Sequence, residues 1–137
     1  MTMTYQQQFV LDSVAGRAAI LNLNARYNRL YSAGDLAGWT ATFRHSGATY
    51  TRAGESFTDL REAFDGGDCV RLVTVDHEIA VDGVDATQVC VALLFHNNEF
   101  QASGTFTDRL IYERGGWYFT SRALEWDVVP RENALPV

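Results

Sequence analysis

From Val14 onward the apolar residues recur every three or four positions: Val14, Ala18, Leu21, Ala25 and then the Tyr27, Leu30 and Tyr31 group. That period predicts an amphipathic helix capped at Asp12 or Ser13, with residues 1 to about 11 as a loose arm. Gly34 supplies the left-handed residue that stops the helix. Asp35 then caps a second, shorter helix carrying Leu36, Trp39 and Phe43. From Ala48 the period shortens to two: Ala48 to Arg52, a turn at Ala53-Gly54, then Glu55 to Phe57. Thr58 is placed to cap a third short helix that ends at Asp65-Gly66-Gly67.

The remainder reads as strand. Residues 70–81 close at an Asp82-Gly83 turn, residues 87–96 turn at Asn97-Asn98 into residues 99–109, and a final hairpin runs from Gly104 to Trp126 around Arg114-Gly115-Gly116. In its first strand Phe106, Asp108, Leu110 and Tyr112 share one face, and Thr105, Thr107, Arg109 and Ile111 share the other. In its second strand Phe119, Ser121, Ala123 and Glu125 share a face. Each largely apolar face therefore carries one acidic residue. A buried carboxylate is costly unless it is neutralised, paired or used, so Asp108 and Glu125 become candidates for chemistry. Helices first and a meander of long strands after them predict one α+β domain over residues 1–137, with a tail from about 128. The helices should pack on a strongly curved antiparallel or mixed sheet, forming a cone whose interior is the natural small-molecule site.

Composition narrows the function classes. The 137 residues are 47% hydrophobic and 20% charged, with a net charge of −6, an ordinary globular balance. The positive charge is carried by arginine, without the basic stripe that would neutralise phosphates, which argues against a nucleic-acid partner. No apolar run reaches membrane-spanning length and the N-terminus has no signal-peptide pattern, so the expected location is the cytoplasm. Cys69 and Cys90 lack metal spacing and read as free thiols. No pair of histidines has ligand spacing with a carboxylate, so no metal is expected.

Ala33-Gly34-Asp35-Leu36 followed by Gly38 and Phe43, the strand Ala48-Thr49-Tyr50, and Asp108 followed by Gly116-Trp117 and Arg122 form a set. In these motifs the chain resembles the nuclear-transport-factor-2-like superfamily, and within it the SnoaL-like and ketosteroid-isomerase-like enzymes, over nearly all of residues 14–127. The resemblance implies cofactor-free proton-transfer chemistry, and homodimers formed through the outer face of the sheet, here Thr105, Thr107, Arg109 and Ile111. Carried over by position, Tyr27 and Asp108 fall where a ketosteroid isomerase has its oxyanion-hole tyrosine and aspartic acid. That enzyme's general base would fall at Thr51 or Arg52 and is missing. The dehydratase and dehydrochlorinase branch uses a His–Asp dyad, which would fall at Arg71 or Leu72 and at Tyr31 or Ser32. It is missing too.

Glu125 is expected to point into the cone, giving two carboxyls whose pKa values separate into an acid and a base, with Tyr27 reaching in from the helix. Tyr27, Asp108 and Glu125 are thus the candidate catalytic residues. Tyr50, His77, His96, Phe95, Phe106 and Trp39 are the candidate substrate contacts. Alternation turns His77 inward with Val75, Ile79 and Val81, whereas the register implied by the family turns positions 72, 74 and 76 inward; the sequence leaves both open. His45 reads as surface. The leading reading is an enzyme for cyclisation, isomerisation or elimination on an apolar or polycyclic substrate. The other is a non-catalytic binding or association module on the same fold.

Overall fold

A computed structural model describes residues 4–128. Helix α1 spans Tyr5–Ala33, α2 Leu36–Thr40 and α3 Leu60–Ala63; the strands are β1 Thr49–Arg52, β2 Glu55–Phe57, β3 Val70–Asp82, β4 Asp85–His96, β5 Glu99–Glu113 and β6 Gly116–Val128. Helix α1 starts well before the expected cap. Thr4 and Gln7 form a capping box: the Gln7 amide N–H donates to Thr4 Oγ1 and the Thr4 amide N–H to Gln7 Oε1. Periodicity alone hid this start, because the first turns bury little and Tyr5, Phe9, Leu11 and Val14 are exposed. Burial begins at Gly16 and continues through Ile20, Leu23, Asn24 and Tyr27. The helix ends as expected at Gly34, whose φ of 73° lets its N–H reach the carbonyls of Leu30 and Tyr31. Asp35 caps α2 by accepting from the Gly38 amide, and the cap of α3 is Asp59 rather than Thr58. Most of the expected tail, residues 129–137, lies outside the described residues.

The six strands form one open mixed sheet in the order β2-β1-β6-β5-β4-β3, with β1 parallel to β6 and the other neighbours antiparallel. The helices lie on its concave face, and the core between them holds Trp39, Phe43, Tyr50, Phe106 and Phe119. Gly104 lets the sheet bend, since a Cβ there would sit 2.5 Å from the Glu125 carbonyl oxygen.

Two bulges decide which side chains face the concave side. In β6, Ser121 pairs with Arg109 but Phe119 pairs with Leu110, so Thr120 is the extra residue. Trp117 and Phe119 therefore point inward before it, and Arg122 and Leu124 after it. In β3 the register shifts between Val75 and Glu78, where Asp76 takes a φ of 54°. Asp tolerates that left-handed conformation better than most residues. Val70, Leu72 and Thr74 face inward before this bulge, and His77, Ile79 and Val81 after it. Each reading of His77 holds on one side of the bulge only: positions 72 and 74 face inward before it and positions 77, 79 and 81 after it. Val75, expected inward by alternation, and Asp76, expected inward by the family register, are exposed.

Candidate functional site

The concave face offers two polar regions of opposite character, one sealed and one open. The sealed one is a rung across the sheet, Gln88–Asp108–Arg122–Tyr50, contributed by β4, β5, β6 and β1. The Asp108 and Arg122 side chains have no solvent exposure, and Arg122 Nε lies 3.1 Å from Asp108 Oδ1. Gln88 Nε2 donates to Asp108 Oδ2 at 2.7 Å and to Asn24 Oδ1 at 3.1 Å, while Asn24 Nδ2 donates to Gln88 Oε1. Arg122 Nη2 also donates to Asn24 Oδ1, at 3.3 Å. The guanidinium is packed between rings, 3.6 Å from the centroid of Phe106, 4.3 Å from Tyr27 and 4.4 Å from Phe119. Desolvated contacts of this kind are worth about 2 kcal/mol or more. Burial raises the Asp108 carboxyl above its ordinary range, opposed by Arg122 and by the Gln88 hydrogen bond. Burial likewise disfavours the Arg122 charge, but Asp108 and Tyr27 outweigh it and the guanidinium ends above its ordinary value. Burial also raises Tyr27 well above the normal phenol range, and Tyr50 to about 12.

The open region is a groove of about 630 Å³ between α1 and β3. Its helical wall is a polar stripe, Asn24, Asn28 and Ser32, at four-residue spacing beside the buried Ile20, Leu23 and Tyr27. On its strand wall His77 Nε2 lies 2.9 Å from Thr74 Oγ1, and Asn28 Nδ2 donates to the same hydroxyl oxygen at 2.9 Å. Further along, Ser32 Oγ accepts from the Leu72 amide at 3.1 Å, which joins the positions where the family's dyad would stand, without a titratable group at either. His77 is half-buried. Burial first, and then the positive charge of Arg122, push its pKa below the ordinary imidazole value, with Asp76 opposing. Asn24 belongs to both regions, lining the groove while bonded to Gln88 and Arg122.

Among the nine candidates from the sequence, only His77 lines this groove. Tyr27, Asp108, Tyr50, Phe106 and Trp39 are brought together, but as the packed core beneath it. Glu125 is corrected. It is exposed and occupies the rung Val75–Val91–Thr105–Glu125 on the convex face, because the Thr120 bulge inverts the parity that placed it inside. Phe95 is corrected as well: it alternates with the inward Leu94 and packs edge-to-face against the exposed Phe100, with ring centroids 6.1 Å apart. His96, half-buried at the end of β4, does not line the groove. Sequence reasoning missed Asn24, Asn28 and Thr74. The readable signal was the stripe of polar residues every fourth position along an otherwise apolar helix flank. Among the described residues, no group of three His, Cys, Asp or Glu side chains could hold a metal ion, and no helix is long and apolar enough to cross a membrane.

The profile of the SnoaL-like domain matches residues 12–123. Three solved structures share the fold. A Mycobacterium tuberculosis protein of unknown function, Rv3472, solved as a point variant, is 23% identical with a TM-score of 0.77, over 100% of this chain and 84% of that one. A protein assigned as a scytalone dehydratase from Novosphingobium aromaticivorans is 16% identical with a TM-score of 0.73, over 90% and 94% of the two chains. The hexachlorocyclohexane dehydrochlorinase LinA-type3 from Novosphingobium barchaimii is 15% identical with a TM-score of 0.71, over 93% and 97%. No curated protein matches in sequence. The chain belongs to the SnoaL-like domain family, as the motifs around Gly34 and Asp108 implied.

Proposed function

We propose that the chain is a cofactor-independent cytoplasmic enzyme that moves a proton on a ring-bearing, largely apolar small molecule, and that it works in the α1–β3 groove with His77 as the base. The observation that carries this reading is the Asn28–Thr74–His77 chain of contacts inside the groove. With Nε2–H donating to Thr74 Oγ1, the Nδ1 lone pair is left to accept a proton. Partial burial and the nearby Arg122 charge keep the imidazole unprotonated near neutral pH, as a base requires. His77 would take a proton from an acidic C–H, the C–H electrons moving into a new double bond. The imidazolium would then return the proton to a departing oxygen (elimination) or to another carbon (isomerisation). In this scheme Tyr27, Asp108 and Arg122 do not touch substrate; they hold the floor of the groove and set its field. The fold shared with a dehydrochlorinase and an assigned dehydratase agrees with elimination as the reaction class.

Cyclic ketones and β-hydroxy ketones incubated with the protein in D2O provide the assay: a base in the groove exchanges the acidic C–H, visible as loss of the proton signal by NMR. His77→Gln should slow that exchange about 10²–10⁴-fold, the usual worth of a general base, with the fold unchanged. Exchange that is equal in wild type and variant would leave the groove as a binding site only. The sealed state of Tyr27 and Asp108 is what favours that second reading, a binding module without turnover.

The convex face of the sheet supports a homodimer. Val75, Val89 and Phe100 are 37%, 44% and 49% exposed there, beside the partly exposed Val91, Leu93 and Phe95. A stable pair would bury on the order of 1,200–2,000 Å² in total. Light scattering at low micromolar concentration should return twice the chain mass, and Val89→Asp with Phe100→Asp should return one. A monomer mass for the wild type refutes the dimer.

A further inference from the structure

The apolar part of the convex face is a stripe along β4 and its neighbours. It runs through four successive rungs: Phe95 with Phe100, Val73 with Leu93, Val75 with Val91, and finally Val89. Charge bounds this stripe at both ends of β3. Arg71 shares the first rung with Phe95, and Glu78 shares the last with Val89. Both are exposed on the convex side, since Arg71 alternates with the inward Val70 and Leu72, and Glu78 with the inward His77 and Ile79. Toward β5 and β6 the same rungs turn polar, at Ser103, Thr105, Thr107 and Glu125.

Resting on the reading of this face as a homodimer surface, we infer that the two-fold axis crosses the strands between the Val73–Leu93 and Val75–Val91 rungs, so that Arg71 of each copy meets Glu78 of the other. A two-fold pair uses the same patch on both copies, and that line is the midpoint of the apolar stripe. Rotation about it lays β4 on the partner's β4 in the opposite direction and carries the first rung onto the partner's last. Phe95 then meets the partner's Val89, and Arg71 meets the partner's Glu78 at both ends of the stripe. Aligned sheet packing, with strand axes within about 30° of each other, accommodates this arrangement. An axis along β4 would instead set Arg71 and Glu78 against the partner's Phe100 and Thr107, both neutral, and leave two charges at a covered rim without compensation. The ion pairs sit at an exposed rim and are screened by salt, so they set the orientation and the choice of partner, while the stripe supplies the contact.

The test mixes two charge reversals, with the dimer dissociation constant read by analytical ultracentrifugation at about 50 mM salt. Arg71→Glu alone and Glu78→Arg alone each set like charges against one another at both contacts, and each should raise that constant about tenfold or more. Mixed in equal amounts, the two variants should associate as tightly as wild type, because each offers the other the opposite charge at both ends. The double variant Arg71→Glu, Glu78→Arg should dimerise by itself, and raising salt to about 500 mM should shrink all of these differences. If the single variants dimerise as wild type does, or mixing restores nothing, the axis is wrong and the convex-face dimer stands. If wild type is a monomer, or stays a dimer in the Val89→Asp, Phe100→Asp variant, the convex-face reading fails and the inference falls with it.

Discussion

The rung at Asp108–Arg122 and the groove at Thr74–His77 are built from the same materials, polar and titratable side chains beneath one helix on one concave sheet face. They differ in access to water. In the rung the Asp108 and Arg122 side chains have no exposure, and a charge there is tolerable only with its counter-charge, its amides and its rings in place. In the groove Asn28, Thr74 and His77 stay partly open to solvent, which supplies the compensation that the sealed rung must find within itself. Burial therefore turns Asp108, one of the two carboxyls the sequence singled out, into structure, and in the proposed reading the chemistry falls to His77 in the open groove. The Asp and Arg of the last hairpin lie in the floor of the concave face, and the open wall is where the proposed site stands.

Breaking the sealed side should have the largest effect. Arg122→Ala would leave Asp108 buried without its partner and three rings facing a void, a loss of about 3–5 kcal/mol by the usual cost of orphaning one member of a buried pair. Chemical denaturation monitored by tryptophan fluorescence measures it. The double variant Arg122→Met, Asp108→Leu removes both charges with similar volume and should recover most of the loss. A single variant as stable as wild type would mean that the pair is not dry, and the distinction between the two regions would collapse.

Asn24 tests the join between the regions, and its effect should be smaller. Asn24→Leu removes the acceptor of Gln88 Nε2 and Arg122 Nη2 and the donor to Gln88 Oε1 and the Ile20 carbonyl. Leaving buried polar groups unsatisfied costs about 1–3 kcal/mol, read as a lower denaturation midpoint at unchanged slope. Because Asn24 also lines the groove, the same substitution should perturb ketone binding there, whereas a substitution on the convex face should not.

How far this contrast could be read from the sequence follows from what alternation encodes. The helix stop at Gly34, the cap at Asp35, the turns between strands and the inward face of Asp108 were all legible, because each is a local rule acting on a few neighbouring residues. Glu125 was misplaced because a bulge at Thr120, a residue with no special signature, reverses the parity of everything after it. His77 was ambiguous for the same reason, although Asp76 is one of the residue types that accepts a positive φ and could have marked the bulge. The arginine partner of Asp108 was visible as a motif, but its depth was not. Depth depends on which strand stands opposite, and that is a property of the assembled sheet.

The smallest predicted effect concerns His77 and pH, and it links the two regions directly. In the folded chain its pKa is lowered, by burial first and by the Arg122 charge second. Unfolded, the imidazole titrates at about 6.5. Above that value both states hold it neutral, and its contribution to stability does not change with pH. As pH falls through about 6.5 toward the lower folded value, the unfolded chain takes up a proton that the folded chain refuses, so stability must decline with acid. The slope stays below one proton because His77 is only partly buried, and His77→Gln should flatten that part of the curve. NMR titration of the imidazole C–H signals reads the same quantity at the site. In the Arg122→Met, Asp108→Leu variant the pKa of His77 should rise, since a buried positive charge has gone, yet stay below the unfolded value, since burial remains. A pKa that does not move in that variant would show that the sealed rung does not reach the groove electrostatically, and His77 would then owe its unprotonated state to the walls of the groove alone.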